Sequence, residues 1–300
     1  MDAPVVLVTG ASSGTGLAAA VELAQRGART YGTTRERPRA ESLLVACERA
    51  GVAVEVIELD VRSAPSVRDA VGKVVAAEGR IDVLVNNAAT VAFGPMEFTT
   101  VDDLHAMLET NLLGPIRMIQ AVLPVMRRQG RGRIVNIGSV SAEPKVGVPG
   151  AAVYAATKAG MRALTIDLVK ELEPLGIELV LCESGIGGRS AMLDSLAQGV
   201  SRFGQDDGAY SAVEDWTTAF GEFIEHNAPD SSGSGVLVAN ACLAPQPELR
   251  FPRAAQDLVN AAQRVSDDDY RRLCRGESLD AAVQELPTGF MWKLRSSSDL

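Results

Sequence analysis

The 300-residue sequence predicts an α/β fold: a doubly wound parallel sheet of about seven strands with helices on both faces. Three observations predict it. Short runs rich in β-branched residues alternate with longer stretches of helical spacing, the pattern of parallel strands joined by right-handed crossovers. The strand-like runs are almost continuously apolar, as a sheet covered on both faces requires. A glycine-rich turn follows the first run and opens the first helix.

The expected strands, in order, are "VVLVT" (5–9), "ARTYGTT" (28–34), "VAVEVIEL" (52–59), "IDVLVN" (81–86), "GRIVNI" (132–137) and "IELVLC" (177–182), with a weaker "ELRF" at 248–251. Helical spacing shows in Leu17, Val21, Leu23 and Ala24, and again in Leu104, Leu108, Leu112, Ile116 and Ile119. The stretches 102–126 and 153–172 each read as one long helix. Residues 186–235 are richer in Gly, Ser, Asp and Asn. They follow the sixth strand and so belong to the carboxyl edge of the sheet, where open α/β folds bind ligands. They are expected to cover a substrate. Met192, Leu193, Leu196, Phe203, Trp216 and Phe220 are the candidate apolar lining, with ordinary helix packing as the competing reading for about half of them. Residues 1–255 are thus expected to form a single dinucleotide-binding catalytic domain, and 256–300 a helical C-terminal extension ending in the polar "RSSSDL".

Composition narrows the function. A hydrophobic fraction of 46% is ample for a buried core. The net charge of −9, with both signs well mixed, disfavours nucleic acid, whose phosphates require a basic face. No apolar run approaches the roughly 20 residues of a membrane span. The first strand begins at Val5 and leaves no room for a secretory signal. Cys47, Cys182, Cys242 and Cys274 are scattered without a CxxC pair and read as reduced thiols of a cytoplasmic protein. His105 and His226 are the only histidines, and neither sits in a metal-ligand pattern, so no metal is expected.

"TGASSGTG" (9–16) supplies tight turns and a helix N-terminus, together a cradle for a pyrophosphate. Its spacing is GxxxGxG rather than GxGxxG. Gly10, Ser12, Ser13, Gly14, Thr15 and Gly16 are the candidate cofactor contacts. The second strand ends "GTTRER", offering Thr33, Thr34 and Arg35 where an acidic residue commonly holds a ribose 2′-hydroxyl. A guanidinium suits a 2′-phosphate, which favours NADP(H) over NAD(H), with NADPH the expected form. Ser13 could add a hydroxyl contact. A solvated charged loop is the competing reading.

Tyr154 and Lys158 stand one helical turn apart in "AAVYAATKAG". An ammonium near a phenol stabilises the phenolate, lowers its pKa and suits the pair to proton exchange with an alcohol or ketone oxygen. Ser139 lies just past the fifth strand in "NIGSVSA", "VNNAA" (85–89) ends the fourth, Asp60 ends the third in "LDV", and Asn111 falls in the helical "LETNLLGP".

With these motifs in order, residues 5–185 resemble the short-chain dehydrogenase/reductase family, and 186–255 resemble it more weakly. The long tail and the "TTR" strand end resemble its 17β-hydroxysteroid and retinol dehydrogenase-like branch. The resemblance implies a Rossmann-type fold with Tyr154 as general acid/base. Lys158 would lower the phenol's pKa and hold the nicotinamide ribose, Ser139 would bond the substrate oxygen, and Asn111 would fix a water in a proton relay through Lys158. It further implies that Asp60 and Val61 contact adenine and that Asn87 and Ala88 form a cofactor-contacting turn. Three features depart from the family pattern. "NNAA" replaces NNAG, the Ser139–Tyr154 interval is about two residues longer, and Ser184-Gly185 stands in place of Pro-Gly. The implied function is an NADP(H)-dependent oxidoreductase interconverting a ketone and a secondary alcohol on an apolar, medium-to-large substrate. The alternatives are an epimerase or dehydratase using bound cofactor without net redox turnover and, last, a non-catalytic nucleotide-binding protein. The resemblance also implies a homodimer or homotetramer built on the two long helices. Leu108, Leu112 and Ile119 would then serve the sheet, and Met107, Met118 and Val122 would point elsewhere.

Overall fold

A computed structural model describes residues 2–145, 148–183, 195, 196, 199, 202, 208–227, 232–252, 260 and 263–274. Seven strands form one sheet: β1 Val5–Val8, β2 Arg29–Thr34, β3 Glu55–Glu58, β4 Val83–Asn86, β5 Gly132–Ile137, β6 Ile177–Cys182 and β7 Arg250–Phe251. Every pair is parallel and the order is β3-β2-β1-β4-β5-β6-β7. The order reverses between β1 and β4, and the loops after these strands open the crevice in which such sheets bind ligands. The weak "ELRF" run contributes only Arg250 and Phe251, which pair with Leu181 and Cys182.

The helices are α1 Gly14–Gln25, α2 Glu41–Ala50, α3 Ala64–Glu78, α4 Val101–Leu108, α5 Gly114–Gln129, α6 Ala152–Leu172, α7 Ser211–Asn227, α8 Ser232–Leu243 and α9 Asp267–Cys274. Strand residues alternate between two apolar layers. Val5 and Leu7 of β1 pack with Val67 and Val71 of α3 and Met118 and Val122 of α5. Val6 and Val8 pack with Ala19 and Leu23 of α1, Leu43 of α2 and Val238 of α8. Both sides of each strand are therefore apolar, which is why the strands read as unbroken apolar runs. Helix α8 approaches α1 so closely that a Cβ on Gly235 would fall 2.7 Å from the Ala18 carbonyl carbon. The expected cover segment thus ends where α8, a layer of the core, begins.

The helical run predicted over 102–126 is present without a gap, but it contains a π turn. Helix α4 ends at Leu108, a π-helical turn occupies Glu109–Leu113, and α5 starts at Gly114. The wide turn shifts the phase of the apolar stripe between the two helices. The side-chain assignment therefore changes. Met107, Met118 and Val122 are buried in this chain, whereas Leu108 is 41% exposed. Ile119 serves the core as expected, and Leu112 lies against Gly160 of α6.

Candidate active site

The glycine turn is held from below by threonines. Thr9 Oγ1 accepts the N–H groups of Asn87 (2.9 Å) and Ala88 (3.0 Å), and Thr33 Oγ1 accepts from Gly10 N at 3.3 Å. Asn87 Nδ2 donates to the carbonyls of Thr9 and Gly10, both at 2.9 Å. Gly10 has φ 68°, and a Cβ there would lie 2.8 Å from Ala88 Cα. A Cβ on Gly16 would lie 2.3 Å from both Asn87 Nδ2 and the Gly10 carbonyl. Gly16 and Asn87 thus serve the inside of the loop and bring α1 close to the end of β4. Ser13 occupies the N-cap of α1, is exposed, and makes no side-chain capping bond. The first-turn amides of α1 are therefore not capped by its hydroxyl, and both remain suited to an anion. Thr9, whose side chain the sequence did not single out, ties the glycine turn to the end of β4. The signal was present: it is the one hydroxyl ending an otherwise apolar strand.

Ser139, Tyr154 and Lys158 come together past the end of β5. Ser139 Oγ accepts from Ser141 N at 3.1 Å, and the Ser139 side chain is close enough to the Tyr154 phenol to favour its ionised form. Lys158 is buried, donates from Nζ to the Ile137 carbonyl at 2.8 Å, and lies 5.8 Å from the Tyr154 ring centroid. Helix α6 is pinned in place by a buried polar chain. Asn86 Nδ2 donates to Asn136 Oδ1, Asn136 Nδ2 to Thr165 Oγ1 (both 2.9 Å), and Thr165 Oγ1 to the Met161 carbonyl at 2.6 Å.

The electrostatics differ from expectation. Burial pushes the Tyr154 phenol above its ordinary pKa, and the Ser139 side chain only partly offsets this. Burial also pulls Lys158 down to about 8. The expected depression of the phenol by Lys158 is therefore not what these residues produce by themselves. The protein holds Tyr154 neutral, as an acid carrying its proton.

Asn111 is buried in the π turn and its amide is committed. Oδ1 accepts Thr90 N and Nδ2 donates to the Thr90 carbonyl, each at 2.8 Å, and Nδ2 also reaches Thr157 Oγ1 at 3.2 Å. Thr157 Oγ1 in turn donates to the Tyr154 carbonyl at 2.7 Å. The Asn111 side chain thus ties the chain beyond β4 to the helix bearing Tyr154. Asp60 forms a forked pair with Arg62 that holds its carboxyl below the ordinary range. Val61 is buried against Gly114. Arg35 is exposed and makes no hydrogen bond or ion pair among the described residues.

A cavity of about 230 Å³ lies beside the start of α6, where Ala152 and Val153 line it. Its lining includes Pro95, Met96, Met107, Pro149, Val153 and Tyr210. Of the expected cover residues, Leu196 and Phe220 are buried. Met192, Leu193, Phe203, the Trp216 side chain and Ser184-Gly185 lie outside the described residues. Among the described residues no cluster could hold a metal and no helix is long and apolar enough to cross a membrane.

A doubly wound parallel sheet with a glycine turn after β1 and a Ser–Tyr–Lys cluster after β5 defines a dinucleotide-fold oxidoreductase. The family model described as short chain dehydrogenase matches residues 4–200. The chain is 34% identical over 280 residues to the 17-beta-hydroxysteroid dehydrogenase type 1 of Mus musculus, spanning 89% of this chain and 78% of that protein. A short-chain dehydrogenase from Streptomyces avermitilis superposes with a TM-score of 0.70 at 27% identity, covering 91% of this chain and 98% of that one. A metagenomic short-chain oxidoreductase in complex with NADP gives a TM-score of 0.56 at 32% identity, over 60% of this chain and 81% of that one. The chain belongs to the short-chain dehydrogenase/reductase family, in its hydroxysteroid dehydrogenase-like branch.

Proposed function

We propose that the protein is an NADP(H)-dependent oxidoreductase that interconverts a ketone and a secondary alcohol on an apolar, medium-to-large substrate. The observation that carries this reading is the gathering of Ser139, Tyr154 and Lys158 past β5, with Lys158 Nζ buried, bonded to the Ile137 carbonyl and 5.8 Å from the Tyr154 ring centroid, and a largely apolar cavity lined by the adjacent Val153. A bound nicotinamide supplies or accepts the hydride. In the reducing direction, the neutral phenol of Tyr154 gives its proton to the carbonyl oxygen as the carbonyl carbon takes the hydride. The Ser139 hydroxyl accepts from Ser141 N and can turn its own proton from the Tyr154 phenol to that oxygen once substrate is bound. The Lys158 ammonium offsets the phenolate left behind. Gly10, Ser12, Ser13, Gly14, Thr15 and Gly16 form the pyrophosphate cradle, and Arg35 is the candidate for the 2′-phosphate. Asp60, Val61, Asn87 and Ala88 shape the adenine and nicotinamide sides of the same crevice.

In this proposal residues 1–255 form one catalytic domain, 186–235 cover the substrate and 256–300 form a helical extension. The protein works as a homo-oligomer in the cytoplasm. Cys47, Cys182 and Cys242 are buried and unpaired, in line with reduced thiols.

The test is NADPH consumption against a panel of apolar ketones. Tyr154→Phe is expected to abolish turnover and leave NADPH binding nearly intact, because only the proton donor is lost. A variant retaining half of the wild-type kcat would remove Tyr154 from the mechanism. Product formed without NADPH loss would instead favour epimerisation or dehydration.

A further inference from the structure

We propose that Arg162 is a positioning residue: its guanidinium joins Glu143 to Glu183 and so fixes the turn carrying Ser139 against the helix carrying Tyr154. This inference rests on the roles of Ser139 and Tyr154 given above. Arg162 lies one turn beyond Lys158 on α6 and two turns beyond Tyr154, and so shares their side of the helix. Its Nη1 donates to Glu143 Oε2 at 2.9 Å and its Nη2 to Glu183 Oε1 at 2.7 Å.

Those two carboxylates bracket Ser139. Glu143 closes the short helical turn Val140–Ala142 that Ser139 opens, and its N–H donates to the Val140 carbonyl at 3.0 Å. Glu183 directly follows β6, and a Cβ on Gly138, the residue before Ser139, would fall 3.0 Å from Glu183 Cγ. One guanidinium therefore grips both ends of the segment 138–143 from the helix that also carries Tyr154. The outer carboxylate oxygens are held as well. Glu183 Oε2 accepts from Arg250 Nη2 at 2.9 Å and Glu143 Oε1 from Gln263 Nε2 at 3.3 Å.

The Glu143 and Glu183 side chains are 9% and 1% exposed, so water and salt screen the cluster weakly. Two carboxylates balance two guanidiniums, so the cluster adds no net charge, and its influence on the site is through geometry. A planar fork can span two carboxylates at fixed separation, whereas an ammonium on a flexible stem cannot hold both in register. A brace that served folding alone would leave the Ser139–Tyr154 contact unchanged once the variant had folded.

The test reads that contact without substrate. The full-length protein is labelled with fluorotyrosine, and the fluorine NMR signal of residue 154 is assigned by its loss in Tyr154→Phe. It is then titrated in wild type, Ser139→Ala, Arg162→Met and the double variant. Arg162→Met is expected to raise the apparent pKa of Tyr154 by about half to one pH unit, the worth of one net hydrogen bond. Ser139→Ala should give the same shift, the double variant no further shift, and the Tyr31 signal should not move. Arg162→Lys should behave as Arg162→Met does. An unchanged Tyr154 titration in Arg162→Met, or shifts that add in the double variant, would overturn the proposal. If Arg162→Met does not fold, Glu143→Met removes one arm of the clamp and is read by the same cycle with the same criteria. An absence of ketone reduction would sink the functional reading but would not alter this titration, so the two failures are distinguishable.

Discussion

At the scale of the residue, the site is built from groups held away from their ordinary ionisation. Lys158 is the clearest case. Burial brings its pKa from 10.5 to about 8, so its ammonium is less favoured in the folded chain than in the unfolded one. The resulting deficit in stability is fully present below about 8 and shrinks as the pH rises toward 10.5. It amounts to roughly 3 kcal/mol. Lys158→Met is therefore expected to raise the melting temperature of the free protein at neutral pH, with the gain narrowing at alkaline pH, while turnover is lost. An equal or lower melting temperature at neutral pH would show that the ammonium is accommodated without cost. The same titration sets a kinetic limb: kcat/KM for the ketone, which reports the NADPH-bound enzyme, should fall as pH rises through the pKa of Lys158, a group that burial holds below its ordinary range. Arg35 is the corresponding residue for cofactor choice. Replacing it with aspartate exchanges attraction for repulsion at a 2′-phosphate and supplies an acceptor for a 2′-hydroxyl. Preference should move from NADPH toward NADH by about one to two decades, measured as the ratio of dissociation constants. Unchanged preference would shift the discrimination to Ser13 or elsewhere.

At the scale of the element, the π turn Glu109–Leu113 does what a regular α-helix could not. It carries a buried amide into a gap between the chain after β4 and helix α6. Asn111→Ala removes three hydrogen bonds and leaves the Thr90 N–H and carbonyl without their partner. Thr90 is exposed, so water takes up part of the loss, and each hydrogen bond removed costs about 0.5–1.5 kcal/mol net. We expect at least about 1 kcal/mol of lost stability by denaturant titration, together with reduced turnover from the untethered Thr157–Tyr154 step. Asn111→Asp keeps the acceptor but loses both donated bonds, so it should rescue little. This turn also shows what the sequence made legible. Strands buried on both faces announce themselves as apolar runs, and all six strong ones appear in the sheet. The π turn did not show, because "LETNLLGP" keeps helical spacing through it and the Asn111 partners lie 21 and 46 residues away. The Glu143–Arg162–Glu183 clamp was hidden for the same reason. Charge pairs across separate strands and helices exist only once the sheet order brings them together.

At the scale of the whole molecule, the question is what covers α4, the π turn and α6. The expectation that Met107, Met118 and Val122 would face a partner is replaced by a different set. Val101, Leu108, Leu113 and Ile166 are 64%, 41%, 38% and 38% exposed, and they lie on three elements that pack against one another. Exposed apolar residues grouped on neighbouring elements mark an association surface more often than a monomer's surface. The competing explanation is that the C-terminal extension covers them within one chain. The described part of that extension is engaged elsewhere. Lys145 Nζ donates to the Val265 carbonyl at 2.7 Å and pairs with Asp267 at 2.8 Å, and Gln263 reaches Glu143. These contacts hold it against the loop between Ser139 and Tyr154. We therefore expect a two-fold dimer in which α4 and α6 of each chain meet their counterparts, with a tetramer as a further stage. Light scattering at micromolar concentration should give a mass of twice 31.6 kDa or a higher even multiple. Leu108→Lys combined with Ile166→Asp should reduce it to a single chain without loss of secondary structure. A wild-type mass of one chain would leave that surface to the C-terminal extension, and an unaltered oligomer in the double variant would move the interface to another face.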